Sequence, residues 1–128
     1  MKNIIVSAQN ALLAEAIVDA LRQRGQFRCQ TVPFDRTRDL AAICHALPAD
    51  ILLMEVNRRP AFTLEKRLAL AQKIRQQTPG CRLVLLCDEI ADPDLAERVM
   101  HAKQFNQIDS FFYASVSASY LTAALEAL

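Results

Sequence analysis

Apolar runs and helically spaced apolar positions alternate from one end of the chain to the other. "NIIVSA" (residues 3–8) is a short β-branched run and predicts a strand. From Asn10 onward, Leu13, Ile17, Ala20, Leu21 and Arg24 keep helical spacing, and Gly25 is placed to end that helix. "FRCQTV" (27–32) alternates like a strand near a sheet edge. Leu40, Ile43 and Leu47 predict a second helix stopped by Pro48, and "DILLMEV" (50–56) a third, fully buried strand. Leu64, Leu68, Ala71 and Ile74 or Arg75 form a third helical stripe, closed by "TPG" (78–80). "CRLVLL" (81–86) reads as strand four. Asp92-Pro93 opens a helix through Leu95, Val99 and Met100, with Asp as cap and Pro in the first turn. "IDSFFY" (108–113) is strand five, and Ser117 caps a last helix carrying Leu121, Ala124, Leu125 and Leu128.

Strands that alternate with helices must pair in parallel, because each helix carries the chain back across the sheet. Crossovers of this kind are right-handed. The expected fold is therefore α/β: a three-layer, flavodoxin-like (βα)5 open parallel sheet in the order 2-1-3-4-5, with residues 1–128 as one domain. In such sheets the functional crevice lies at the C-terminal ends of the strands, where strands 1 and 3 meet. Glu55, a carboxylate near the end of an apolar strand, falls there.

Composition narrows the function more than the fold. Of 128 residues, 52% are hydrophobic and 23% charged, with a net charge of +1, so no global field exists to hold nucleic acid or a membrane surface. No apolar run reaches the length of about 18 residues that spans a bilayer. Cys29, Cys44, Cys81 and Cys87 show no C-x-x-C spacing. Reduced thiols in a cytoplasmic protein are the expectation, with neither a metal site nor a disulfide.

With the order and spacing of these segments in place, the chain resembles the receiver domains of two-component response regulators over essentially its full length. "PADILLMEV" (48–56) is similar to the family's strand-3 segment, an apolar run ending in the phosphoacceptor aspartate, with Asp50 matching the acid before that run and Glu55 at the acceptor position. The rest of the family's chemistry has no counterpart. The acid pair that holds magnesium after strand 1 falls on Ser7 and Ala8, or on Ala8 and Gln9, and the first acid in the chain is Glu15. Cys87 stands at the hydroxyl position after strand 4, Ala114 where the lysine belongs and Ser115 where proline follows it; no lysine occurs after Lys103. Phosphoryl transfer needs a divalent ion and fixed positive charge around the group in flight. The resemblance thus implies a degenerate receiver that is not an enzyme and uses no cofactor. Glu55 is either a permanent imitation of the phosphorylated state or a wet strand-end acid paired with Arg58 or Arg59.

Other candidates compete. Cys87 invites a nucleophile or group-carrier reading with Glu55, but "CDEIADPD" surrounds it with acids that oppose a thiolate. Ser7, Gln9, Asn10 and Arg58 would line a polar pocket if the domain sensed a small ligand. No glycine-rich loop follows strand 1 to cradle a nucleotide phosphate. Residues 58–82 are basic (Arg58, Arg59, Lys66, Arg67, Lys73, Arg75 and Arg82 against Glu65), while 88–97 are acidic, so helices 3 and 4 should pair across their boundary or present a charged docking surface. Nucleic-acid binding by this domain is not expected, since helix 3 lacks base-reading and stacking groups. Phe105, Phe111, Phe112, Tyr113 and Tyr120 concentrate in the last quarter. The resemblance makes the helix 4–strand 5–helix 5 face, with Phe111, Tyr113 and Tyr120, the expected surface for a protein partner or a homodimer.

Overall fold

Each apolar run becomes a strand and each stripe a helix in the structure, a computed structural model that describes residues 1–128, Phe34 by its backbone alone. The elements are β1 (Lys2–Ser7), α1 (Ala11–Arg24), β2 (Phe27–Thr31), α2 (Leu40–Ala46), β3 (Ile51–Glu55), α3 (Leu64–Gln77), β4 (Arg82–Cys87), α4 (Pro93–Gln104), β5 (Ser110–Tyr113) and α5 (Ala118–Glu126). All strand pairings are parallel and the order is β2-β1-β3-β4-β5, so β2 and β5 are the edges.

Local chemistry sets the helix ends. Asn10 caps α1 by accepting the Leu13 N–H at 3.2 Å, Asp92 caps α4 through Leu95 N–H at 3.2 Å with Pro93 in the first turn, and Ser117 caps α5 through Tyr120 N–H at 3.1 Å. Gly25 ends α1 at φ 72°, in the left-handed region that only glycine enters freely. One segment departs from expectation: residues Phe34–Asp39, ahead of α2, form a 3₁₀ turn, leaving α2 only 7 residues long.

Alternation along the strands divides the core in two. Ile5, Leu52, Met54, Leu83, Leu85 and Cys87 face α2, α3 and α4, while Ile4, Val6, Leu53, Val84, Leu86 and Phe112 face α1 and α5. Both faces of the central strands are buried, which is why β3 and β4 read as continuous apolar runs. Packing against α3 diverges from the expected stripe at one residue. Leu64, Arg67, Ala71 and Ile74 are the buried positions, with Leu68 only half-buried. Arg67, one of the bases expected to pair with helix 4 or to form a docking surface, is 1% exposed.

Candidate functional site

The C-terminal ends of β1 and β3 lie side by side, with Ser7 opposite Met54. Glu55 is half-buried there, and its Oε1 accepts the backbone N–H of Gln9 at 2.7 Å. Gln9 is exposed, and its side-chain oxygen accepts from Asn57 Nδ2 at 3.3 Å. The expected pairing of Glu55 with Arg58 or Arg59 is corrected: Arg58 points to α4 and grips Asp92 with two hydrogen bonds, and Arg59 forms no ion pair among the described residues. That Arg58–Asp92 contact does tie the basic stretch to the acidic one, as the charge pattern implies. A second pair between the helices runs the other way, from Arg98 of α4 to Glu65 of α3.

Arg67 supplies the cation of the site. From the first turn of α3 its Nε donates to the Glu55 carbonyl at 3.0 Å, and its Nη2 to the Ser7 carbonyl at 3.3 Å and Ser7 Oγ at 3.1 Å. The Phe62 ring lies 4.6 Å from the guanidinium carbon, a cation–π contact on a face closed to water. Nη1 is buried with no acceptor. Burial, opposed in part by the Glu55 carboxylate, lowers the guanidinium to about 10. It stays charged at neutral pH. The signal for its burial is present in the sequence: positions 64, 67, 71 and 74 share one helical face.

Of the other predicted positions, Ser7 is the one bonded to this cation. Ser7 is buried against Arg67, Ala8 is half-buried and packs toward α1, and Cys87 is 2% exposed. Ala114 is exposed and donates its N–H to the Cys87 carbonyl at 2.8 Å, and Ser115 is exposed beside it. Ala114 also lines an apolar cavity of about 140 Å³ between α1 and α5. Asp50 lies at the opposite end of β3 from Glu55, where its carboxylate accepts the Asn3 N–H at 2.8 Å. Burial and the neighbouring acids Glu89, Asp88 and Asp92 push the Cys87 thiol up to about 11, so it is a poor nucleophile at neutral pH. The imagined polar pocket of Ser7, Gln9, Asn10 and Arg58 is also corrected. Ser7 bonds Arg67, Gln9 bonds Glu55 and Asn57, Asn10 caps α1 and Arg58 holds Asp92.

A magnesium ion of the kind receiver domains use does not fit these groups. Mg²⁺ prefers an octahedron of hard oxygens with one or two carboxylates. Glu55 is alone, its Oε1 already holds an N–H, and a fixed guanidinium stands within Coulomb range of it. Among the described residues no three acids, histidines or cysteines gather where they could hold a metal ion.

No family model and no curated relative matches the sequence. Solved structures do. A DNA-binding response regulator of the LuxR family from Staphylococcus aureus superposes with a TM-score of 0.77 at 13% identity, over 99% of this chain and 98% of that one. The chain has the receiver fold. The CheY-like protein TadZ from Pseudomonas aeruginosa PAO1 shares it (TM-score 0.74, 17% identity, 99% and 98% covered). So does a putative pilus assembly protein, CpaE, from Burkholderia thailandensis (0.69, 20%, 99% and 97%). Within the receiver fold, the ends of β1 and β3 are where the crevice belongs, and here Arg67 and Glu55 meet there.

Proposed function

We propose that this chain is a signalling domain built on the receiver fold, one that works by binding protein and not by accepting a phosphoryl group. The observation that carries this reading is the buried Arg67 guanidinium, bonded to Ser7 and Glu55 at the ends of β1 and β3. A permanent internal cation takes up the charge-neutralising place that a metal ion fills transiently in a phosphorylating receiver. Ala114 leaves no ammonium to stabilise a phosphorylated form. Glu55 holds the β1–α1 loop by accepting the Gln9 N–H, so it serves structure and is no imitation of a phosphate.

Incubation with acetyl phosphate and Mg²⁺, followed by intact mass, is expected to leave the mass unchanged. A stable gain of one phosphoryl group on Glu55 overturns the proposal.

The contact face is formed by α4, β5 and α5. Phe111 and Tyr113 are half-buried, with ring centroids 5.5 Å apart, along the edge strand β5. Tyr120 packs edge-on against Phe112 at 6.2 Å yet remains 59% exposed. An amphipathic ring held rigid while still facing water is characteristic of a contact residue. The occupant is a second copy of the chain or a protein partner. Sedimentation over a concentration series is expected to show a dimer that Tyr120→Glu disperses; a strict monomer throughout removes the self-association form. Transcriptional signalling is one setting, and the scaffold shared with the putative pilus assembly protein CpaE makes a pilus-assembly apparatus the alternative.

A further inference from the structure

A basic cavity adjoins the buried cation. It measures about 200 Å³ and is lined by Thr37 and Arg38 of the 3₁₀ turn, Ala61 ahead of α3, and Lys66, Arg67 and Leu70 of α3. Three of those side chains are cations, and no acid stands among the described residues that line it. Arg38 and Lys66 are exposed and form no ion pair among the described residues. Two acids adjacent to them in the chain, Asp39 and Glu65, are engaged elsewhere, by Arg36 and Arg98.

Two features make this grouping costly as it stands. Nε and Nη2 of Arg67 are spent on Glu55 and Ser7, but Nη1 is buried without an acceptor. A buried charged donor is ordinarily satisfied. Lys66 and Arg67 also occupy the first turn of α3, where the helix dipole and the open N–H groups favour negative charge. One anion seated in the cavity relieves both costs.

We propose that this cavity binds a small dianion of the phosphate class, either inorganic phosphate or the phosphoryl group of a small metabolite. Arg38 offers a planar fork of donors and Lys66 a mobile ammonium. Arg67 adds a charge that water does not screen, with Nη1 as its spare donor. A cavity of comparable size holds a benzene-sized ligand, so a phosphoryl group with a short tail against Ala61 and Leu70 has room. Binding is reversible and transfers nothing. The bound anion bridges the 3₁₀ turn to α3, apart from the Glu55 carboxylate, which does not line the cavity.

The test is an amide NMR titration of the folded chain with inorganic phosphate and, separately, with glycerol phosphate, at an ionic strength held constant with sodium chloride. The expected result is a saturable set of shifts centred on Arg38 and Lys66. Arg38→Ala and Lys66→Ala, both at exposed positions, should each weaken binding about tenfold. Lys73→Ala, exposed on the same helix and outside the cavity, should change nothing. Tighter binding of glycerol phosphate assigns the site to a metabolite's phosphoryl group, and equal or weaker binding assigns it to free phosphate. Shifts that do not saturate by about 10 mM phosphate, shifts scattered over other basic residues, or an affinity unmoved by both substitutions overturns the proposal. The readout is independent of whether Glu55 accepts a phosphoryl group.

Discussion

Arg67→Ala is expected to cost about 3–5 kcal/mol of folding stability, enough to leave a domain of this size largely unfolded at modest urea. The substitution empties a site that is 1% exposed, removes the cation from the Phe62 ring, and strips Ser7 and Glu55 of their guanidinium donors. A buried charge is also costly in itself, and replacing it with an apolar chain of similar length is often tolerated. Arg67→Met should therefore lose less, about 1–2 kcal/mol, because it keeps the volume and sheds the desolvation cost. The difference has a pH signature. The folded-state pKa of about 10 lies below that of a free guanidinium, so between those limits the folded protein binds fewer protons than the unfolded one. Stability of the parent relative to Arg67→Met must then rise as pH climbs through that window. Urea melts at neutral and alkaline pH measure both effects. A cost below about 1 kcal/mol for Arg67→Ala would show that the guanidinium does not organise the crevice.

Asp109→Ala carries the second large effect, a loss of about 2 kcal/mol. Asp109 precedes β5 and serves β4 twice. Its Oδ2 accepts the Leu83 N–H at 2.7 Å, and its own N–H donates to the Leu83 carbonyl at 2.8 Å. Leu83 is fully buried, so an N–H left without an acceptor there is expensive. The ion pairs of Asp109 with Arg75 at 3.4 Å and Arg82 at 3.9 Å matter less, since both arginines are partly in water. Asp109→Asn retains an acceptor and should cost about half as much in the same melts. Equal losses for both substitutions would assign the effect to charge instead.

These two residues show where sequence pattern stops being informative. Asp109 lies within the segment read as strand, but the strand begins at Ser110 and the aspartate lends its side chain to the neighbouring ladder. Arg67 sits at core spacing, but an arginine is ordinarily solvated, and the acceptors that make this one interior are visible only in the fold. Its acceptors on β1 are 60 residues away in the chain. Glu55 ends β3 as the apolar run implies, yet its partner is the backbone of Gln9, and no side-chain pattern encodes that bond. Cys44 and Cys81, far apart in the chain, likewise join one apolar cluster only when α2 and the loop before β4 pack on the same face of the sheet.

By itself, the sequence determined the order of strands and helices, the caps at Asn10, Asp92 and Ser117, the glycine stop at Gly25 and the strand order of the sheet. Those features depend on interactions within a few residues, or on the rule that parallel strands require crossover helices. Only the tertiary structure decided which charges face each other across the crevice and which arginine is interior. Burial and partner choice are properties of packed surfaces, and packing joins residues with no relation along the chain.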